Sequence, residues 1–213
     1  GDFEAGERAT PLLVTMDDRT LAFAPLICYE DIFPRLSRAS ARSGADVLVV
    51  LTNNGWFGEG GAAYQHAAHS VLRAVETRRP VLRCGNGGWS GWIDEFGSIR
   101  AELRRVHRPG PDGNLQPVVT SRPQRRDEED DEAGTIYFRG SGVVDVTRDR
   151  RWVDRLSVYS MYGDWFVLLC AGLFATGTLL ARSEPGGRPV APTEAADQPA
   201  AKRSFRRRGG DRS

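Results

Sequence analysis

Residues 165–181, WFVLLCAGLFATGTLLA, carry no charge. At a rise of about 1.5 Å per residue, a helix of this length reaches roughly 25 Å, near the lower limit for crossing a bilayer. A soluble protein can bury a helix of the same composition in its core. Three features favour a membrane. The stretch follows the main body of the chain, it is apolar all round, and residues 185–213 beyond it are rich in Pro, Ala, Gly and Arg and offer little to cover it. Tyr162 and Trp165 suit one interface, while Arg182, Arg188, Lys202, Arg203 and Arg206 to Arg208 lie past the other end. The positive-inside tendency then predicts a cytoplasmic tail and residues 1–160 on the outer side.

The 213 residues allow one medium domain and a tail. A formal net charge of +1 gives no global field that would select nucleic acid, so no nucleic-acid partner is expected. Residues 127–132 form an acidic run and 202–208 a basic one, both read as solvated segments. The three cysteines, Cys28, Cys84 and Cys170, are widely spaced and suggest no disulfide framework. His66 and His69 can share a helix face, but neither has a carboxylate or thiolate near it in sequence, and no metal or cofactor is expected. The chain opens on Gly1-Asp2-Phe3 without an initiator methionine or a signal-peptide pattern, and reads as part of a longer protein.

Apolar runs at 12–16 and 20–27 around Asp17-Asp18 predict a hairpin. Residues 31–43 have helical spacing, with Ile32, Leu36 and Ala39 on one face and Gly44 as the terminating glycine. The β-branched run within 46–51 predicts a strand buried on both faces. A second helix is expected over 63–77, with Ala67, Val71, Ala74 and Val75 inward and Arg73 paired to Glu76. A short strand at 81–84 follows, then a hairpin around Glu95-Phe96-Gly97. Residues 104–134 lose periodicity and read as a surface insertion, and 135–146 return to strand-like alternation. Strands alternating with helices predict an α/β fold.

Cys28 ends a strand and precedes a helix. Such a turn exposes the sulfur, and the helix N-terminus offers unpaired N–H groups and a positive dipole end. A free thiol titrates at about 8.5, so this help favours thiolate and can hold an oxyanion. A cysteine at a strand end is also common plain packing. Cys84 reads as inert core. Asn53 and Asn86 suit turns or the hydrogen bonding of site loops.

The order of motifs around Cys28 narrows this. Pro25-Leu26-Ile27-Cys28-Tyr29-Glu30 is followed by Thr52-Asn53-Asn54-Gly55-Trp56-Phe57-Gly58, then Gln65-His66, then Arg73-Ala74-Val75-Glu76-Thr77-Arg78-Arg79-Pro80. Arg83, Asn86, Gly88, Ser90, Ile93-Asp94 and Gly97 complete the block. Over residues 3–103, and again from Ser157 to Trp165, the chain resembles the C-terminal half of the apolipoprotein N-acyltransferases. These are a membrane-bound branch of the nitrilase, or carbon–nitrogen hydrolase, superfamily.

The resemblance implies a nitrilase-like α-β-β-α sandwich, present in part, followed by one C-terminal transmembrane helix. It divides the chain into the C-terminal part of a catalytic domain (1–156), a segment and helix that enter the membrane (157–182) and a disordered basic cytoplasmic tail (183–213). It implies a Glu–Lys–Cys triad with Cys28 as nucleophile, the Tyr29 backbone N–H as oxyanion donor and Glu30 in support. Trp56 and Phe57 are placed to contact substrate, with core packing as their other reading. The implied reaction takes an acyl chain from a phospholipid, through a thioester, to the N-terminal amine of a diacylglyceryl-cysteine on an apolipoprotein. The setting implied is the bacterial inner membrane, with the catalytic domain on the periplasmic side, a monomer and no cofactor.

Two departures stand out: Asn54 where these enzymes commonly have Asp, and Gly55 where they have Ala. The resemblance also places the triad's Glu and Lys upstream of the cysteine. Residues 1–27 hold no lysine, and Glu4 and Glu7 are too close to Cys28 to occupy a base strand, so only part of the triad is expected here. An anchored amidase that passes its acyl group to water, and an inactive binding fragment, are the alternatives.

Overall fold

The computed structural model describes residues 6, 8–121 and 134–183. The acidic run at 127–132, Glu4, Glu7 and the tail at 184–213 lie outside the described residues. The chain divides into two compact units, Gly1–Leu168 and Leu169–Ser213.

The first unit is built on a six-stranded sheet in the order β1-β2-β3-β4-β5-β6. Strands β1 (Leu12–Met16) and β2 (Arg19–Ile27) form the expected hairpin, turning at Asp17 with a positive φ of 51°. Strand β3 (Val47–Asn53) lies parallel to β2, and β4 (Val81–Asn86) parallel to β3. The antiparallel strands β5 (Gly91–Ile93) and β6 (Ile99–Glu102) extend the sheet past β4. Parallel neighbours need crossovers. These are α1 (Pro34–Arg42) between β2 and β3, and α2 (Ala62–Thr77) between β3 and β4.

The helices cover one face of the sheet. Alternate residues Ala24 and Leu26 of β2, Leu48 and Val50 of β3 and Val81 of β4 are buried with Ala63, Ala67 and Ala74 of α2. Full burial of Leu48 or Val50 contributes roughly 1.5–3 kcal/mol each. The other face is open: Ile27, Leu51 and Cys84 are exposed and Val49 is half-buried. Strand β3 is thus buried on both faces at its start, where Val47 and Leu48 are both buried, and on one face only towards Leu51. A β-branched run tells how apolar a strand is, not how many layers cover it.

The helix expected over 31–43 is split. Residues Cys28–Ile32 form a 3₁₀ turn, Phe33 is extended, and α1 begins at Pro34. Proline lacks an N–H and pushes its predecessor out of the helical region, so it can open a helix but not sit inside one. The inward face is consequently Ser37, Ser40 and Ala41, with Leu36 half-buried, in place of Ile32, Leu36 and Ala39. Gly44, at φ 90°, follows the last turn as expected.

Residues 104–120 are not aperiodic. Strands β7 (Arg104–Pro109) and β8 (Leu115–Thr120) form an antiparallel hairpin that turns at Gly113, φ 76°. Only Val106 of β7 is buried, so arginines on the exposed positions masked the alternation. Residues 135–146 hold no strand beyond a single bridge from Thr135 to Arg105. Gly140 and Gly142 interrupt the alternation there and weaken a strand.

The chain then returns across the helical layer. Buried Arg79 donates to the carbonyls of Ala45 (2.6 Å), Trp152 (2.9 Å) and Arg155 (3.0 Å). Ser157 caps α3 (Val158–Tyr162) through the Ser160 N–H, and its hydroxyl donates to the Glu76 carbonyl. Arg38 and Arg42 of α1 donate to the carbonyls of Tyr159, Ser160 and Met161, satisfying the C-terminal end of α3.

Helix α4 (Trp165–Ser183) includes 18 residues, Trp165–Arg182, long and apolar enough to cross a membrane. None of that window is buried. Its hydroxyls are satisfied within the helix, Thr176 on the Gly172 carbonyl and Thr178 on that of Ala175, both at 2.8 Å.

Candidate active site

Ligands in open α/β sheets bind outside the carboxyl ends of the strands. The parallel strands β2, β3 and β4 end at Cys28, at Thr52-Asn53-Asn54 and at Asn86, so these residues meet at one edge. Asn54 N–H donates to the Asn86 carbonyl at 2.8 Å, and the Asn86 side chain donates to Asn53 Oδ1 at 3.0 Å. Asn53 Oδ1 also accepts the Gly55 N–H, so it forms a turn and joins two loops at once.

Cys28 has a φ of 52°. A side-chain-bearing residue seldom adopts this left-handed conformation, and it clusters at functional turns. The change of hand redirects the chain from β2 into the 3₁₀ turn and leaves the thiol half-exposed. Thr52 Oγ1 lies 3.6 Å from Cys28 Sγ. Tyr29 stands in the first turn, where N–H groups have no intrahelical acceptor. Glu30 Oε2 accepts the Ile27 N–H at 2.7 Å, closing the turn back onto the strand. The expected dipole of a long helix behind Cys28 is not there. Pro34 confines the helical geometry after the cysteine to a five-residue turn.

Beneath that turn is a buried polar cluster that sequence reasoning missed. Asp31 is fully buried. Its carboxylate accepts from Arg83 at 2.6 Å, Ser70 Oγ at 2.7 Å and His66 Nε2 at 2.9 Å. Arg83 also donates to Ser70, and Arg73 to the carbonyls of Asp31 and Ile32. The other nitrogen of His66, Nδ1, faces the Asn54 amide at 2.9 Å. The Tyr29 ring stacks on the His66 ring, and Phe57 meets Tyr29 edge-on. His66 thus has a carboxylate partner, contrary to expectation, supplied from 35 residues away in sequence. Burial pushes its pKa down, helped by the Arg83 charge and opposed by Asp31 and the Cys28 carbonyl.

The signal was present in α2. Buried His66, Ser70, Arg73 and Thr77 share the helical stripe of Ala63, Ala67 and Ala74, whereas Val71 and Val75 are half-buried. Polar residues in phase with an apolar stripe need partners across the interface. Arg73 pairs with Glu76 at 2.9 Å as expected.

Trp56 is 82% exposed and Phe57 43%, so neither is core. A cleft of about 790 Å³ nearby is lined by Gly55, Gly58, Leu82, Cys84, Asn86 and Tyr137, among others. Cys84 is exposed on the open sheet face and is not core, because β4 places it opposite the helices.

The carbon-nitrogen hydrolase family model matches residues 3–121, more than half of the chain. The chain belongs to the carbon–nitrogen hydrolase family. The match runs through the β7–β8 hairpin. Among members of the family, this carbon–nitrogen hydrolase chain is 43% identical over 100 residues to the apolipoprotein N-acyltransferase of Geobacter metallireducens, over 47% of this chain and 18% of that protein. With the Thermotoga maritima apolipoprotein N-acyltransferase it shares 47% identity over 73 residues, 34% of this chain and 14% of the other. The matched part thus spans less than a fifth of the length of these relatives. An amidase from Nesterenkonia sp. is similar in structure, with 24% identity and a TM-score of 0.38 over 57% of this chain and 44% of that one.

Proposed function

We propose that this chain carries the nucleophile of a lipoprotein N-acyltransferase, and that the nucleophile is Cys28. The observation that carries the reading is the left-handed Cys28 at the carboxyl end of β2, with a hydroxyl 3.6 Å from its sulfur. In the proposed reaction the thiolate attacks an ester carbonyl of a phospholipid, and the lysophospholipid leaves with a proton. The acyl group, held as a thioester, then passes to the α-amino group of a diacylglyceryl-cysteine, and the thiol is restored. A covalent intermediate divides one transfer into two easier steps.

The Tyr29 N–H holds the oxyanion and Glu30 keeps the turn closed. Trp56 and Phe57, both exposed and Phe57 edge-on to Tyr29, meet the acyl chain. A Glu base and an oxyanion Lys belong upstream of the nucleophile in this reading; the chain's one lysine is Lys202. Helix α4 crosses the inner membrane, with the catalytic unit on the periplasmic side and the tail in the cytoplasm. That places the site beside a lipid donor and a lipid-anchored acceptor. The reading needs no cofactor and one copy of the chain.

A chimera tests it. The segment is grafted into the Geobacter metallireducens relative in place of the matching region, so that the partner supplies the upstream residues. The graft is expected to transfer acyl chains to a diacylated lipoprotein peptide, and Cys28→Ala to lower that transfer by roughly 10³-fold or more. A Cys28→Ala graft that still N-acylates contradicts the proposal.

A further inference from the structure

We propose that Thr52 is a catalytic residue, its hydroxyl held as a hydrogen-bond donor to Cys28 Sγ by the buried chain Asp31–His66–Asn54. The inference rests on Cys28 being the nucleophile and follows from counting donors and acceptors.

His66 Nε2 faces the Asp31 carboxylate at 2.9 Å, and that carboxylate already accepts from Arg83 and Ser70. A carboxylate so occupied has no proton to give, so the proton of this contact belongs to Nε2. The groups around the ring are Asp31, Arg83, the Tyr29 ring, the Cys28 carbonyl and the Asn54 amide, with Ser70 and Arg73 further along its own helix. Burial and the Arg83 cation together favour the neutral ring. A neutral imidazole with its proton on Nε2 presents a lone pair at Nδ1.

Nδ1 therefore needs a donor. The group opposite, 2.9 Å away, is the carboxamide of Asn54. Asn54 is fully buried, and its Nδ2 has no partner, while its Oδ1 faces both His66 Nδ1 and Thr52 Oγ1, the latter at 3.2 Å. A half-turn of the amide exchanges the two ends, which have nearly the same shape. The turned amide gives one N–H to His66 Nδ1 and the other to Thr52 Oγ1. Two orphaned donors are satisfied and one carbonyl oxygen is left against Gly88, and a bare buried carbonyl is easier to tolerate than a bare N–H.

The consequence reaches the sulfur. A hydroxyl has one proton. In the unturned amide, Thr52 can give it to Asn54 or to Cys28 Sγ. In the turned amide, Thr52 accepts from Asn54, and its only remaining acceptor among the described residues is Cys28 Sγ, 3.6 Å away. A donor held on the sulfur stabilises the negative charge that sulfur carries when it acts as a nucleophile.

The test reads the sulfur directly, independently of acyl transfer. The full chain in lipid nanodiscs is treated with iodoacetamide at pH 7.5, and alkylation is followed at each cysteine by peptide mass spectrometry. Thr52→Val is expected to slow alkylation of Cys28 about fivefold, the scale of one hydrogen bond, with Cys84 unchanged. Thr52→Ser, which restores the hydroxyl, is expected to recover most of the rate. Nitrogen NMR of His66 in the unsubstituted chain provides a measurement free of any folding defect, and a neutral ring protonated at Nε2 is the expected signature. A Thr52→Val chain alkylated at Cys28 as fast as wild type overturns the proposal. So does a His66 ring carrying a proton on Nδ1 at pH 7.5. Either failure leaves the chimera's acyl transfer as a separate result.

Discussion

Cys28 and Cys84 lie at the same end of one sheet. Ile27 pairs with Leu51, and Leu51 with Cys84, so the two thiols sit about two strand spacings apart. Cys84 is the more exposed. Yet Cys84 lies in regular strand geometry with no hydrogen bond to its sulfur among the described residues, whereas Cys28 sits in a left-handed turn over a buried polar cluster. In the proposed function, exposure alone does not select the nucleophile. The backbone turn aims the sulfur, and the cluster beneath it fixes the turn.

The largest effect expected of any change to this contrast comes from Asp31→Ala. It leaves buried Arg83 without its counter-charge and frees His66 and Ser70 together. Removing one partner of a buried ion pair costs about 3–5 kcal/mol. Thermal or urea unfolding measures this, and a loss near that of a surface substitution would show that the cluster does not hold the turn.

Gly88→Ala follows. A Cβ there would stand 2.7 Å from Asn54 Nδ2 and 2.9 Å from its Cβ, and overpacking of that kind costs about 1–3 kcal/mol. The same substitution is expected to disturb alkylation of Cys28 more than that of Cys84.

Replacement by glycine separates the two thiols by sign. Cys28→Gly relieves the positive φ and is expected to be neutral or stabilising by up to about 1 kcal/mol. Cys84→Gly puts glycine inside a strand and is expected to destabilise by roughly 0.5–1 kcal/mol. Equal losses at the two positions would mean that Cys28 is not strained.

The smallest effect is that of pH. The folded pKa of His66 is lowered, so the folded state holds the ring neutral and the unfolded chain binds the proton more readily. Its contribution is in place above the ordinary histidine pKa of about 6.5 and is lost as pH falls below it. His66→Gln should flatten the stability profile between pH 7 and pH 5. An unchanged slope would place the acid sensitivity elsewhere.

Much of this was legible in the sequence. The hairpin before Cys28, the alternation of strand and helix, the glycine after α1 and the apolar stretch at 165–181 are each local signals, and each appears where expected. What was not legible came from local and long-range features alike. One local signal, Pro34, was outweighed by periodicity and split the first helix. The open face of β3 and the exposure of Cys84 depend on which layers cover the sheet, and composition does not carry that. Asp31, His66, Ser70 and Arg83 come from three elements, and only the fold reveals that one carboxylate serves the other three. Cys28 was prominent from its motif, but its left-handed backbone and its Thr52 neighbour were not.

The most direct measurement is capture of the acyl-enzyme. The Geobacter metallireducens graft is incubated with phospholipid and no acceptor, then digested and weighed by mass spectrometry. A fatty acyl thioester is expected on the peptide containing Cys28 and none on that containing Cys84, cleared when a diacylated lipoprotein peptide is added. An acyl group on Cys84, or N-acylation of the acceptor with no adduct ever formed on Cys28, would contradict it.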